Sequence, residues 1–204
     1  MPEVTALFWD VGGVMLTNGW DGKARRRAAE EFDLNWEEFQ DRHEIVVAEF
    51  ETGRLSLDDY LQRTVFYRPR AYQPAAFADF MRAQSHAHPE VLELDGSLAG
   101  SHTLLQATLN NESLELNQHR IETFGLRRHF SLFLSSCYLG LAKPGEAIFR
   151  LALRVTQREP EACLFIDDRE LNLECAGLLG LRTIHYRDPA QLRGELIAHE
   201  VLPT

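Results

Sequence analysis

Three acidic residues and one lysine stand where chemistry is most readily built. Asp10 closes the apolar run "ALFW" (6–9) and is followed by Val11 and the pair Gly12–Gly13. Asp167 and Asp168 close another apolar run in "ACLFIDD" (162–168), and Lys143 precedes Pro144 in "GLAKPGEAIF". A carboxylate at the end of a buried strand is costly unless it has a partner. Asp10 alone would read as a turn or helix-capping residue, but an adjacent acidic pair at a second strand end repels itself and calls for a cation. Three oxygen donors at neighbouring strand ends make a hard-cation site of the Mg²⁺ type. Lys143 adds a point charge for an anion beside that metal. An anion held between Mg²⁺ and a lysine, facing a free carboxylate, has the geometry for attack on a phosphoryl group.

In a parallel sheet the carboxyl ends of all strands gather on one edge. The runs 6–9, 102–109, 130–136, 162–168 and the shorter 181–186 read as strands, and 112–124, 144–157 and 170–179 as helices between them. Pro144 just inside one helix and Gly180 just past another mark their limits. This alternation predicts an α/β fold with a Rossmann-like parallel sheet covered by helices on both faces, its ligands beyond the carboxyl ends of the strands. Residues 17–90 carry only amphipathic helical patterns, punctuated by Gly53 and Pro69. The expected organisation is a core of 1–16 and 91–204 with an all-helical cap at 17–90 over the carboxyl edge of the sheet.

Composition narrows the partners. With 204 residues, 45% of them hydrophobic and 25% charged, the chain can bury a real core. A net charge of −10 argues against nucleic acid or an anionic membrane as the main partner. No apolar run approaches the roughly 20 residues of a bilayer span, and no leader pattern opens the chain. Cys137, Cys163 and Cys175 show no metal or disulfide spacing. A cytoplasmic protein working as a monomer or homodimer on a small phosphorylated metabolite is the expectation.

The motifs together resemble the haloacid dehalogenase superfamily. "FWDVGGV" is similar to its first motif, "KPGEAIF" to its third and "FIDDRELN" to its fourth, and the helical insertion resembles its four-helix cap. The resemblance implies a Mg²⁺-dependent phosphatase in which Asp10 is the nucleophile and becomes an aspartyl-phosphate. It implies metal ligation by Asp10, the Gly12 carbonyl and the fourth-motif acids, Asp168 directly and Asp167 in support. Lys143 would neutralise the phosphoryl group. The subset it points to includes sugar-1-phosphate phosphatases and the N-terminal phosphatase-like part of epoxide hydrolases.

Two departures from the family pattern are visible. Gly12 stands where many members carry a second aspartate that protonates the leaving group, which favours substrates whose leaving group needs little protonation. Leu109 stands where Ser or Thr is expected at the end of the second strand. Strand alternation then makes Asn110 and the backbone of Leu109–Asn110 the expected phosphate donors, with Thr108 as the alternative. These departures leave two other readings open: a haloacid dehalogenase, whose fourth motif is not expected to hold an acidic pair, and a weakly active or inactive binding protein. His86 and His88 are read as helix-end residues. Arg25 and Arg26 are read as a solvated face that could reach substrate, and Trp20 as either a ring-stacking or a lid-packing residue.

Overall fold

A strand that is apolar at every position has both faces covered, and β1 (Ala6–Trp9) is buried throughout. Its alternation divides the core in two. Leu7 and Trp9 join a cluster on one side of the sheet, and Ala6 and Phe8 join another on the opposite side. The computed structural model describes residues 2–98 and 104–203. Its sheet has five parallel strands in the order β3-β2-β1-β4-β5, with β2 (Leu105–Asn110), β3 (Leu132–Ser135), β4 (Cys163–Asp167) and β5 (Arg182–His185). Strand order reverses about β1, so the crevice beyond the ends of β1 and β4 is where a ligand belongs.

Between β1 and β2 come α1 (Gly22–Glu31), α2 (Trp36–Glu51), α3 (Leu57–Thr64), α4 (Pro74–Ala83) and α5 (Pro89–Leu98). The first three begin on capping side chains: Asp21, Asn35 and Ser56 each accept a backbone N–H three residues ahead. Helices α1 to α4 share their own core, built on Phe39, Phe50, Tyr60, Leu61 and Phe77. The two chain crossings into this cap run side by side, where Thr17 N donates to the His86 carbonyl at 2.8 Å and His88 N to that of Met15 at 2.8 Å. Helix α5 already packs on the sheet through Val91, Leu94 and Leu98. The expected boundary at 90/91 thus falls inside a helix, and the return from the cap lies a few residues earlier.

The remaining helices are α6 (Leu114–Thr123), the short α7 (Ser136–Leu139), α8 (Glu146–Thr156), α9 (Glu170–Leu178) and α10 (Pro189–Ala198). Helices α8 and α9 cover one face of the sheet through Ile148, Phe149 and Ala176, and α5 and α10 the other through Val91 and Leu192. The second strand was expected from 102; residues 102 and 103 lie outside the described residues. No helix of the described residues is long and apolar enough to cross a membrane.

Candidate active site

Beyond the end of β1 the chain makes a tight turn, with Leu16 N donating to the Val11 carbonyl at 2.9 Å and Gly13 N to that of Leu16 at 2.7 Å. Asp10 is held at its start: its N–H donates to the Ile166 carbonyl at 2.9 Å, and its Oδ1 accepts from Val11 N at 2.8 Å. Gly13 lies at φ +82°, and a Cβ there would stand 2.1 Å from Asp168 Oδ2. Only glycine meets both conditions. Gly13→Ala is therefore expected to destabilise the protein by about 1–3 kcal/mol, a Tm lower by about 2–12 °C, read by thermal unfolding.

The four sequence-predicted charged residues come together. Carboxylate oxygens of Asp10, Asp167 and Asp168 all lie within 4.8 Å of one another. Lys143 Nζ stands 3.0 Å from Asp10 Oδ1 and 2.6 Å from Asp167 Oδ2, buried with both of them. Burial pushes the Asp10 carboxyl up to about 7, with Lys143 opposing and the two neighbouring acids adding to it. Burial alone would lower the Lys143 ammonium, but Asp10 and Asp167 outweigh it and the net shift is upward.

The two fourth-motif acids are placed differently. Asp167 has both oxygens engaged, by Lys143, by Asn172 Nδ2 at 3.0 Å and by the Arg169 N–H at 2.8 Å at the start of α9. Asp168 accepts one hydrogen bond, from Asn18 Nδ2 at 3.3 Å to Oδ2, and its Oδ1 is buried with no partner. An orphaned buried carboxylate oxygen beside two other acids is what a hard cation would satisfy. Opposite oxygens around Mg²⁺ stand about 4.2 Å apart, given bonds of about 2.1 Å, so the cluster fits that ion with a small contraction. Asp10 and Asp168, with the Gly12 carbonyl of the intervening turn, are the residues that could hold it.

The structure places the side chains of Thr108, Leu109 and Asn110 away from the cavity lining. The Leu109 side chain is packed in the apolar core with Ala107 and Leu134 and has nothing to offer an anion. The Asn110 side chain turns inward, donating to Asn117 Oδ1 at 3.1 Å and accepting from Ser135 Oγ at 2.9 Å. Thr108 Oγ1 is buried without a partner. It is the next two residues, Asn111 and Glu112, that line the cavity. Asn111 clamps the backbone of Lys143, accepting from its N–H at 2.9 Å and donating to its carbonyl at 2.8 Å. Alternation within β2 holds, with Leu109 beside Ala107 in the core, but it does not reach the loop beyond Asn110 that lines the cavity. Glu112 pairs with buried Arg120 of α6 at 3.1 Å, and Arg120 also donates to Ser85 Oγ and to the Thr17 carbonyl, each at 3.0 Å. One guanidinium thus ties both cap crossings to the floor of the site, a role no local motif announces.

The cap closes a cavity of about 90 Å³ over Asp10, Gly12, Asn111 and Lys143, roofed by Trp20, His43, Val47, Phe50 and Glu51. Trp20 is chiefly a lid-packing residue: its Nε1 donates to the Tyr60 hydroxyl at 2.8 Å, and its ring packs edge-on against Phe39 and Phe77. Arg25 is spent on the Trp20 carbonyl and Gln40, and Arg26 stacks on Trp36 away from the cavity. His88 Nδ1 contacts the Val14 carbonyl at 2.8 Å and His86 is exposed.

The haloacid dehalogenase-like hydrolase family model matches residues 4–178, a span that takes in both strand-end acidic sites, Lys143 and the cap. The chain belongs to the haloacid dehalogenase-like hydrolase family. Among its relatives, the bifunctional epoxide hydrolase 2 of Sus scrofa is 40% identical over 63 residues, 31% of this chain and 11% of that protein. A phosphoserine phosphatase of Thermus thermophilus is 29% identical over 118 residues, 57% of this chain and 46% of that one. The match to these curated relatives thus spans less than half of their length. A HAD family enzyme of Bacteroides thetaiotaomicron, solved with magnesium and inorganic phosphate, superposes at a TM-score of 0.74 with 17% identity, covering 90% of this chain and 94% of that one. This hydrolase therefore has the α/β HAD fold with a helical cap.

Proposed function

We propose that this hydrolase is a Mg²⁺-dependent phosphatase that transfers the phosphoryl group of a small phosphorylated metabolite to Asp10 and then to water. The observation that carries the reading is the convergence of three carboxylates within 4.8 Å of one another, with Lys143 Nζ 3.0 Å from Asp10. Three anions about one point are unfavourable without a cation, whereas nucleophilic displacement of a halide calls for no metal site. The magnesium and phosphate of the Bacteroides structure and the phosphatase among the relatives support the same reading.

Asp10 and Asp168 hold the cation, and Asp167, fully engaged by Lys143, Asn172 and Arg169, orients the group around them. Bound there, Mg²⁺ would neutralise phosphoryl oxygens and fix them for in-line attack. Lys143 supplies the second positive charge, and Asn111 sets its position through the backbone. The roof excludes bulk water, which strengthens each of these interactions. The cavity of about 90 Å³ under the cap favours a compact phosphorylated substrate over an extended one.

The test is a panel of phosphomonoesters run in Mg²⁺ and in EDTA, beside halide release from 2-chloropropionate. Phosphate release that collapses in EDTA and returns on adding Mg²⁺ is the expected result. Halide release that persists in EDTA, with no phosphate from any ester, would overturn the reading.

A further inference from the structure

At Gly12 the first motif has no carboxyl with which to protonate a leaving group, yet the cavity contains another. In-line displacement expels the leaving oxygen opposite the attacking one. With Asp10 attacking from the edge of the sheet, that oxygen emerges toward the cap. The polar roof residues are His43 and Glu51, with Asp21 and Gly19 at the side. His43 is already committed: its Nδ1 meets the Tyr60 hydroxyl at 2.8 Å, and burial pushes it down to about 3, so the ring stays neutral. Asp21 is the N-cap of α1.

Glu51 is free. Its side chain makes no hydrogen bond or ion pair among the described residues, unlike Glu112, which is held by Arg120. The backbone that carries it is fixed over the core. Its carbonyl accepts from Ser136 Oγ at 2.5 Å, and at Gly53, two residues on, a Cβ would stand 2.2 Å from the Cys137 carbonyl oxygen. As the last residue of α2, Glu51 also lies at the negative end of a helix dipole, which favours its neutral, proton-bearing form.

We propose that Glu51, on the cap and lining the same cavity as Asp10, is the general acid and base of this hydrolase, in the role that Gly12 leaves vacant; this rests on the phosphatase reading. An Asp10 carboxylate oxygen bonds to phosphorus, the bond from phosphorus to the leaving oxygen breaks with its electron pair going to that oxygen, and the Glu51 carboxyl gives it the proton. The Glu51 carboxylate then takes a proton from the water that attacks the aspartyl-phosphate, releasing phosphate and regenerating both side chains. The charged groups bearing on Glu51 are consistent with both duties. Burial raises it to about 7 with Glu112 adding, while Arg169, Arg25 and Lys143 oppose. A carboxyl balanced near neutrality serves as acid and base in turn.

The experiment compares wild type, Glu51→Gln, Glu51→Asp and Asp10→Asn on glycerol phosphate, whose alkoxide must be protonated, and para-nitrophenyl phosphate, whose aryloxide leaves unaided. For Glu51→Gln, kcat/KM on the alkyl ester is expected to fall about 10²-fold or more, and on the aryl ester less than about tenfold. Its aryl-ester progress curve should show a burst of nitrophenolate, because loss of the base slows the second step. Glu51→Asp, which retains a carboxyl, restores part of the alkyl-ester rate. The wild-type alkyl-ester kcat/KM should fall as pH rises through about 7, and Glu51→Gln should lack that limb. Equal losses on the two esters, or none, would overturn the assignment while leaving Asp10 as the nucleophile. If wild type releases no phosphate from either ester, or Asp10→Asn turns over like wild type, the phosphatase reading falls and this assignment with it.

Discussion

Lys143→Met is expected to lower the Tm by about 6–20 °C and to abolish most turnover. The cause is electrostatic. Among the described residues Lys143 is the one cation bonded to both Asp10, at 3.0 Å, and Asp167, at 2.6 Å, and all three are buried. Removing one partner of a buried charge pair costs about 3–5 kcal/mol, because the other charge is left in a poorly polarisable surrounding. The loss should depend on pH. Lys143 holds the Asp10 carboxyl down, so without it the folded-state value rises further above that of the unfolded chain. A group whose folded pKa is raised binds more protons in the folded state, and stability then falls as pH rises through the interval between the two values. The variant should therefore be most impaired at pH 8 and recover part of its deficit toward pH 5. Mg²⁺ should raise its Tm as well, since a cation that binds only the folded cluster stabilises it. Thermal scans at the two pH values, with and without Mg²⁺, measure this directly. An unchanged Tm would mean that Lys143 is not the counter-charge of the acidic cluster. The expected rate loss is about 10²–10³-fold at least, the scale for removing a fixed positive or hydrogen-bonding group at developing charge.

Asp10→Asn is expected to retain the fold and to lose at least about 10⁴-fold in kcat, since an amide oxygen does not form the covalent intermediate and removal of a nucleophile in other enzymes costs up to about 10⁶-fold. The amide matches the carboxylate in shape, and its oxygen can still accept from Val11 N, as Asp10 Oδ1 does at 2.8 Å. Loss of activity with an unaltered circular-dichroism spectrum is the expected pair of results. Retained activity would place the nucleophile elsewhere.

How far these residues could be read in advance depended on how local their signal is. Asp10 follows β1, and Asp167 and Asp168 end and follow β4, both strands being apolar on both faces up to these acids, so their place at the carboxyl edge follows from the parallel sheet alone. Lys143 was legible through the proline that follows it. Asn111 was not, because it lies one residue past β2 and alternation within the strand says nothing of the loop beyond it; the Asn110 side chain, within the strand, faces Asn117 and Ser135. Arg120 looks like any helix-surface arginine in sequence, and it is buried only because the two cap crossings pass over α6. Glu51 is harder still. Helix α2 also bears Glu37, Glu38, Glu44 and Glu49, and an amphipathic pattern marks which face is apolar without saying which polar residue overlooks the floor. Helix α7, four residues long, is below the length at which periodicity can speak. The signals of the floor are local and those of the roof are tertiary, so the roof is the part that sequence patterns describe least.

The most direct measurement is to trap the reaction in acid during turnover of para-nitrophenyl phosphate with Mg²⁺, digest the protein and locate the phosphoryl group by mass spectrometry. A single labile adduct on Asp10, absent from Asp10→Asn and from enzyme held in EDTA, is the expected result. A phosphoryl group found on any other residue, or steady turnover with no covalent adduct at all, would contradict it.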